Sequence, residues 1–307
     1  MQAAPMQAAP LRIGVAQIDS RLATAEANLD KHFEYIERAQ AEGVELLVFP
    51  ETSLTGFPHR EGAGDGGVHR HALSRRSAPI QRLLEATGDM VVVVGLLEEA
   101  PAAQFYNSAL VLGRGEQLHL HRKLNLATYG NLEESKYFAQ GRYVESFDLV
   151  PDTWRVSVLI CADSWNPALV HLAALHGATL LVIPTNSAED AVGAEFSNPN
   201  GWDLATRFYA MIYGMPLVMA NRVGTESGQR FWGGSRIVDP LGNVLAEAPR
   251  DEEVLLTAEV SYESVRRARI QLPTVRDSNL ALVQREIARL EQVIGVPPNV
   301  RDGGKPP

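Results

Sequence analysis

Short apolar segments alternate with segments of helical periodicity along most of this chain, and this alternation restricts the possible folds more than any other property. Short apolar runs are typical of strands, and apolar residues at intervals of three and four are typical of helices. The strands are predicted at residues 11–17, 45–49, 90–97, 154–161, 179–183 and 216–221. The helices are predicted before a stop at Gly43, between Ser77 and Gly88, and at residues 168–176, 201–213 and 278–294.

Two tight turns add antiparallel strand pairs to this pattern. Residues 107–112 and 116–124 predict a hairpin, and a second pair of strands flanks residues 239–243. Strands joined through helices favour parallel neighbours, whereas hairpins make antiparallel ones. We therefore expect an α/β fold with a mixed sheet, or two sheets, and helices outside. The helix at residues 168–176 is apolar nearly all round, which predicts that it is buried.

Residues 11–295 are interpreted as one domain because no segment of low complexity interrupts them. Residues 1–10 repeat the sequence MQAAP and are expected to form a flexible arm. Residues 296–307 are rich in proline and glycine and are expected to form a flexible tail.

The charge and the cysteine content narrow the classes of function. The 307 residues carry a formal net charge of −9, which argues against nonspecific binding to nucleic acid or to anionic membranes. No apolar run is long enough to span a bilayer, and the N-terminus lacks the features of a secretory signal. A single cysteine allows no intramolecular disulfide and no zinc site of several thiolates. We therefore expect a cytoplasmic protein that needs no metal and no organic cofactor.

Three polar residues at or near the ends of apolar strands form a chemically complete set. Glu51 follows one strand, Cys161 ends another, and Lys123 lies in the second arm of the hairpin. A cysteine thiolate is a nucleophile, a buried carboxylate can accept and return a proton, and a lysine can stabilise an oxyanion. The backbone N–H of Ala162 is a second candidate oxyanion donor. The helix predicted after Cys161 favours an anionic sulfur.

Each of these residues also has an ordinary interpretation when it is taken alone. A cysteine after an apolar run is more often a packing residue than a nucleophile. Glu51 is compatible with a loop carboxylate, and Lys123 is compatible with an exposed strand residue. Their joint placement weakens these alternatives but does not by itself exclude them.

The segments around the three residues resemble the nitrilase superfamily of carbon–nitrogen hydrolases. They are residues 49–57 (FPETSLTGF), residues 106–109 with 122–124 (YNSA and RKL), and residues 159–163 (LICAD). The segments occur in the order that the family has. Further similarity at residues 221–224 and 233–242 extends the resemblance over almost the whole chain.

The resemblance implies an α-β-β-α sandwich, in which two mixed sheets carry helices on both outer faces. It also implies a homodimer or a larger homo-oligomer, with a small amide or nitrile as substrate. A second glutamate near the site is implied as well. Glu134, four residues before Phe138, is the better candidate for it, and Glu133 is the alternative. Its implied role is to position Lys123 and the leaving nitrogen.

The predicted reaction is the hydrolysis of an amide through a thioester on Cys161. In this mechanism Glu51 is the base, and Lys123 and the Ala162 N–H bind the oxyanion. Four further residues are candidates for lining the substrate pocket: Phe57, Tyr129, Trp165 and Asn186.

The segment after the cysteine departs from many amidases of the family. Those amidases have an aromatic residue, a proline and a glutamate, whereas here Trp165 comes one place early and Ala168 replaces the acid. Together with residues 127–130, this departure favours the glutaminase-like branch over the carbamoylases. A nitrilase and an N-carbamoyl hydrolase are the nearest alternatives.

Two alternatives belong to other classes of protein. His59, His69 and His71 lie in or beside a glycine-rich loop and leave a metal-dependent hydrolase open, although their spacing is not that of an ordered metal site. An inactive interaction protein of the same fold is the other alternative.

Overall fold

The computed structural model describes residues 9–22, 25–57, 68–130, 132–193 and 195–294. Most of the predicted arm, residues 1–10, and all of the predicted tail, residues 296–307, lie outside these ranges. The division into one domain with two terminal segments therefore stays a prediction. In the part of the chain that is described, no helix combines the length and the apolar character needed to cross a membrane.

The described residues form fourteen strands and six α-helices. The strands are β1 (Leu11–Gln17), β2 (Leu46–Val48), β3 (Val91–Ala100), β4 (Gln104–Gly113), β5 (Glu116–Arg122), β6 (Ser146–Val150), β7 (Trp154–Val158), β8 (Leu180–Thr185), β9 (Leu217–Asn221), β10 (Val223–Glu226), β11 (Gln229–Trp232), β12 (Arg236–Val238), β13 (Val244–Glu247) and β14 (Val254–Val260). The helices are α1 (Ala25–Ala41), α2 (Ala78–Thr87), α3 (Pro167–Leu175), α4 (Asn198–Tyr213), α5 (Tyr262–Gln271) and α6 (Leu280–Ile294).

Twelve of the strands form two mixed sheets of six strands each. The strand order is β14-β1-β2-β3-β4-β5 in the first sheet and β13-β12-β9-β8-β7-β6 in the second. Strands β1, β2 and β3 are parallel in the first sheet, as are β7, β8 and β9 in the second. Antiparallel strands flank both parallel sets, and β4 pairs with β5 in the hairpin that the sequence predicts.

The two large sheets pack face to face over an apolar core. Because alternate residues of a strand point to opposite faces, Val93 of β3 and Val182 of β8 enter the cluster between the sheets. Their neighbours Val92 and Ile183 enter separate clusters beneath the outer helices. Both faces of the central strands are therefore buried, which explains why these segments are apolar throughout.

The helices cover the outer faces of the two sheets. Leu29 of α1 and Ile80 of α2 pack on the first sheet. Val170 of α3 and Trp202 of α4 pack on the second sheet. The expected α-β-β-α sandwich is therefore confirmed.

The sequence predicts that helix α3 is buried, because it is apolar nearly all round. The structure buries only part of its surface. Val170, Ala173 and Ala174 are buried against the sheet, whereas Leu172 is 43% exposed. A helix on the outer face of a sheet buries only one stripe of its surface. The exposed stripe of α3 is therefore available for contact with another molecule.

Candidate active site

Lys123 lies between two carboxylates in a buried cluster. It directly follows β5, whereas Glu51 lies in the turn after β2 and Glu134 begins the short 3-10 helix Glu134–Lys136. The Lys123 Nζ is 2.6 Å from Glu51 Oε1 and 2.9 Å from Glu134 Oε1. All three side chains are at most 2% exposed. Charges this deeply buried are stable only when they are well paired, so the three side chains hold one another in place.

Asn107 of β4 completes this cluster, and the sequence analysis assigned no role to its side chain. Its Nδ2 donates to Glu51 Oε1 at 2.7 Å and to Glu134 Oε1 at 3.1 Å. Each of these oxygens therefore accepts one hydrogen bond from Lys123 and one from Asn107. The sequence signal for this residue is its place in the segment YNSA, residues 106–109, which resembles the family.

The turn that carries Glu51 is built by a close backbone approach. Thr52 has a φ of +50°, a left-handed conformation that is uncommon for a β-branched residue. Gly95 of β3 lies against this turn, and a Cβ there would be 2.2 Å from the Thr52 backbone nitrogen. The absence of a side chain at Gly95 therefore allows the Glu51 turn to pack directly on β3.

Cys161 begins a 3-10 helix, Cys161–Trp165, rather than ending a strand as predicted, because β7 ends at Val158. Its φ is +42°, which is also in the left-handed region. Such a conformation costs about 1–3 kcal/mol in a residue other than glycine and is often found at functional sites. The strand leads into this sharp turn, and the side chain at the turn is only partly exposed.

Burial raises the pKa of the Cys161 thiol well above its ordinary value, and the charge of Glu51 raises it further. Lys123 and a hydrogen bond with the backbone of Asn186 lower it, but by less. The thiol is therefore protonated at neutral pH in the resting site. The start of a helix at Cys161 favours an anionic sulfur, but burial and the charge of Glu51 outweigh this effect in the resting site. The sulfur needs a base before it can attack.

The charged partners of the cysteine have shifted pKa values as well. Burial lowers the pKa of Lys123, but the charges of Glu134 and Glu51 outweigh this effect and hold the pKa well above its ordinary value. Burial raises the pKa of Glu134, and the charge of Glu51 adds to this shift while Lys123 opposes it. Lys123 therefore stays positively charged, and Glu134 takes up a proton more readily than an exposed glutamate.

The structure places Glu134, rather than Glu133, beside Lys123. Glu134 is 1% exposed, and its Oε2 accepts a hydrogen bond from the Ala127 N–H at 2.6 Å. The carboxylate of Glu133 is 28% exposed and pairs with Lys136 at 2.7 Å.

Two of the predicted pocket residues lie at the cysteine. The hydroxyl of Tyr129 is near enough to Cys161 and Lys123 to be affected by their charges, and burial is the main cause of its raised pKa. The backbone of Asn186 hydrogen-bonds the Cys161 sulfur. The Asn186 Oδ1 is buried and has no hydrogen-bond partner in the described ranges, so it is an acceptor that can receive a substrate N–H.

The other predicted pocket residues lie in the two turns of the site. Ala162 is 4% exposed and is the second residue of the 3-10 helix, where backbone N–H groups lack helical partners. Trp165 ends that helix and packs on Trp202, with ring centroids 4.6 Å apart. Phe57 is buried near the end of the Glu51 turn. Their contact with a substrate stays a prediction.

The sequence analysis left open a metal site formed by three histidines. Those of the three that the structure describes do not surround a metal-binding position. His59 lies outside the described residues, His69 is exposed, and His71 is half-buried. Within the ranges given above, no group of three or more histidine, cysteine, aspartate or glutamate side chains could hold a metal ion.

Two curated proteins are similar to this chain over most of its length. A glutamine-dependent NAD(+) synthetase from Thermotoga maritima is 28% identical over 278 residues, which cover 87% of this chain and 45% of that protein. An N-carbamoylputrescine amidase from Arabidopsis thaliana is 28% identical over 253 residues, which cover 79% of this chain and 84% of that protein. This chain spans about half the length of the synthetases that it matches.

A solved structure of the same fold shows a reactive cysteine. It is a mutant of the amidase from Nesterenkonia sp. AN1, which superposes with a TM-score of 0.70 at 25% sequence identity. The match covers 85% of this chain and 98% of that one. In that structure, acrylamide has added to the active-site cysteine.

The match to a protein family agrees with the fold and with these similarities. The carbon–nitrogen hydrolase family matches residues 12–270, which is well over half of the 307 residues. This chain therefore belongs to the carbon–nitrogen hydrolase family.

Proposed function

We propose that this enzyme hydrolyses a small amide through a thioester on Cys161. The observation that carries the proposal is the buried contact of Lys123 with Glu51 and Glu134, beside a thiol that is protonated at rest. The cluster supplies a nucleophile, a base and a positive charge for the oxyanion in one place. These are the groups that acyl transfer requires.

In the first half-reaction, the Cys161 thiol gives its proton to Glu51 while the sulfur attacks the amide carbon. The carbon–sulfur bond forms, and the carbonyl oxygen becomes an oxyanion held by Lys123 and the Ala162 N–H. When this intermediate collapses, the carbon–nitrogen bond breaks and Glu51 returns the proton to the nitrogen. Ammonia or an amine then leaves. Loss of one oxyanion donor in such reactions costs about 3–4 kcal/mol of barrier.

In the second half-reaction, water gives a proton to Glu51 and its oxygen attacks the thioester carbon. The same two donors bind the second oxyanion. The carbon–sulfur bond breaks, the carboxylic acid leaves, and the sulfur takes the proton back from Glu51. Glu134 holds the Lys123 ammonium in place throughout and is positioned to bind the leaving nitrogen.

The side-chain amide of glutamine is the first substrate to test within this class. The similarity to a glutamine-dependent synthetase over 87% of this chain supports that choice. The similarity to an N-carbamoylputrescine amidase makes N-carbamoyl amines the second choice. A nitrile is the third, since the same thiol can attack a nitrile carbon.

The test is ammonia release from a panel of these compounds and of simple aliphatic amides, with Cys161→Ala and Glu133→Gln as matched variants. We expect wild type and Glu133→Gln to release ammonia from at least one amide, and Cys161→Ala to release none above background. An acyl adduct on the single cysteine is expected by mass spectrometry. Full turnover by Cys161→Ala would refute the mechanism.

Two further outcomes of the same experiment would favour other classes of protein. Activity that disappears with a chelator and returns with a metal ion would favour a metal-dependent hydrolase. A wild-type protein with neither turnover nor an adduct on any compound would favour an inactive interaction protein. Both outcomes contradict the proposal.

We also propose that two copies of the chain associate through the outer face of the second sheet. On α4, Leu204, Phe208 and Met211 are 71%, 52% and 44% exposed, and Leu172 of the adjacent α3 is also exposed. A contiguous apolar surface marks an association site, and a two-fold axis lets the same surface serve both copies. We expect sedimentation to give a dimer for wild type and a monomer for the double variant Leu204→Glu, Phe208→Glu. A monomeric wild type would refute this proposal.

Finally, we propose that the enzyme acts in the cytoplasm. The proposed nucleophile has to stay a reduced thiol, and the cytosol keeps thiols reduced. Cell fractionation is expected to recover the protein with cytosolic markers. Recovery in an extracytoplasmic fraction would contradict this location.

A further inference from the structure

Asp163 is a fully buried carboxylate whose two oxygens both accept hydrogen bonds from the protein. Its Oδ2 accepts from His121 Nε2 at 2.8 Å and from the Ile160 N–H at 3.0 Å. Its Oδ1 accepts from the N–H groups of Leu124 at 2.9 Å and Asn125 at 2.7 Å. The imidazole nitrogen is the donor here, because a carboxylate oxygen only accepts. These bonds occupy the carboxylate and leave it unavailable to a substrate.

The donors to Asp163 flank the two residues that the proposed reaction brings together. His121 and Leu124 lie on either side of Lys123, at the end of β5 in the first sheet. Ile160 directly precedes Cys161, after β7 in the second sheet. Asp163 therefore joins the lysine segment of one sheet to the cysteine segment of the other.

The backbone around both residues needs such support. Cys161 has a left-handed φ of +42°, a conformation that persists only when the surrounding structure holds it. The Leu159–Ile160 peptide, one residue before Cys161, is held by the bond from the Ile160 N–H to Asp163. The backbone of Lys123 is held by bonds with Asn107 at 2.9 Å and Gly141 at 2.8 Å, in addition to the bonds of its neighbours with Asp163.

We infer that Asp163 and His121 are a positioning pair that fixes the Cys161 sulfur relative to the Lys123 ammonium, an inference that rests on the proposed function. A displacement of about 1 Å between reacting groups can lower a rate by about 100-fold. The pair acts through the backbone and through β5, so it influences the reaction without touching the substrate.

The variant that tests the pair is Asp163→Asn, which keeps the size of the side chain. Its Oδ1 can still accept from Leu124 and Asn125, but its amide group now faces the Ile160 N–H, and two donors cannot bond. The Leu159–Ile160 peptide, one residue before Cys161, is released as a result. The matched control is Asp239→Asn in the turn between β12 and β13. The Asp239 Oδ1 likewise accepts from two backbone N–H groups, those of Leu241 at 2.8 Å and Asn243 at 2.9 Å, away from the cysteine.

A second pair of variants tests whether the hydrogen bond that His121 donates is important, or only the bulk of its ring. In His121→Gln, the side-chain amide can still donate to Asp163, whereas His121→Leu removes the donor. We expect kcat of His121→Gln to stay within about 3-fold of wild type and that of His121→Leu to fall by at least about 10-fold. Equal losses in both variants would show that the hydrogen bond is not what matters.

The first measurement is the rate of amide turnover divided by the number of reactive thiols. This division corrects for any fraction of the protein that is misfolded. We expect Asp163→Asn to lower kcat by at least about 30-fold while KM changes less than about 3-fold. Asp239→Asn is expected to match wild type in both. A merely structural Asp163 would lower the number of reactive thiols and leave kcat per thiol unchanged, and that result would overturn the inference.

The second measurement is alkylation of Cys161 by iodoacetamide, which needs no substrate and reports one residue because the chain has one cysteine. Release of the Leu159–Ile160 peptide lets the left-handed turn at Cys161 relax and moves the sulfur. The Asn186 backbone lowers the thiol pKa only at short range, so this movement raises the pKa. We expect alkylation of Asp163→Asn to be at least about 3-fold slower than that of wild type near pH 8.

The two measurements together separate failure of this inference from failure of the proposed function. If wild type cleaves none of the amides but alkylation slows only in Asp163→Asn, the proposed function fails and the positioning pair stands. If wild type is active and Asp163→Asn alkylates as fast as wild type or faster, the pair fails and the proposed function stands.

Discussion

Replacing Glu51 by glutamine is expected to make Cys161 more reactive as a thiol while it abolishes turnover. Glutamine has the same shape, and its Oε1 can still accept the hydrogen bonds that Lys123 and Asn107 donate to Glu51. The main change is therefore the loss of one negative charge. That charge raises the pKa of the Cys161 thiol, so its removal lowers the pKa. The group that accepts the thiol proton is lost at the same time.

The size of the effect follows from Coulomb's law. Two unit charges about 5 Å apart interact by about 3 kcal/mol at an effective dielectric constant of about 20. If relaxation of the site cancels half of this, the remainder corresponds to a roughly tenfold larger thiolate population. We therefore expect Glu51→Gln to be alkylated by iodoacetamide about 10-fold faster than wild type near pH 7. We expect kcat for amide hydrolysis to fall by at least about 100-fold.

Mass spectrometry of the intact protein measures this alkylation directly, because a mass gain can arise only at the single cysteine. The control is Glu133→Gln, since the Glu133 carboxylate pairs with Lys136 at 2.7 Å and lies outside the Lys123 cluster. It should behave as wild type in both assays. Alkylation of Glu51→Gln that is no faster than wild type between about pH 6 and 9 would refute the electrostatic reasoning. Undiminished turnover would refute the role of Glu51 as base.

Three further predictions concern the support of the site and of the fold. Asn107→Leu removes the side chain that donates hydrogen bonds to Glu51 and Glu134. A hydrogen bond to a charged group contributes about 1.5–3 kcal/mol, so kcat per reactive thiol should fall by about 10–100-fold. Gly95→Ala places a Cβ 2.2 Å from the Thr52 nitrogen and should lower the free energy of unfolding in urea by more than about 3 kcal/mol. The control is Gly43→Ala, whose Cβ meets no atom within 4 Å. It should lower the free energy of unfolding by only about 1–2 kcal/mol, because Gly43 has a positive φ. Burial lowers the pKa of His32 from 6.5 to about 4, so the unfolded chain binds the proton more tightly and stability is lost as the pH falls from 6.5 to about 4. That loss should reach up to about 3 kcal/mol in urea titrations, and His32→Gln should lack it.

The architecture could be predicted from the sequence because strands that are buried on both faces are apolar along their whole length. Residues such as Val92 and Val93 face different clusters, so the whole strand is apolar and stands out from its surroundings. The hairpin of β4 and β5 could be located from its tight turn at Arg114 and Gly115. The exposed side of α3 could not, because composition does not tell which stripe of a helix faces the sheet.

The candidate site could be predicted only as far as its residues end strands or lie in motifs. Glu51, Lys123 and Cys161 satisfy that condition, and the structure brings them together. Asn107 bonds a residue 56 positions away, and Asp163 bonds residues 38–42 positions away in the other sheet. The Asn107 contact depends on strand pairing within the first sheet, and the Asp163 contacts depend on how the two sheets pack. No local sequence pattern encodes either. The sequence predicts that Glu51 takes the thiol proton, but the burial and the neighbouring charges that hold this proton on the sulfur are visible only in the structure.

The protonated thiol also explains how a single buried lysine can lie beside three acidic groups without an excess of negative charge. If Glu51, Glu134 and the sulfur were all ionised at rest, Lys123 would face three negative charges in a buried space. Burial instead raises the pKa of the Cys161 thiol well above its ordinary value, so the sulfur keeps its proton. In the proposed reaction, the proton that the leaving nitrogen needs is therefore present before the substrate binds. Glu51 has only to carry it from sulfur to nitrogen. A variant with a permanently more acidic thiol, such as Glu51→Gln, should therefore be a better nucleophile and a worse enzyme.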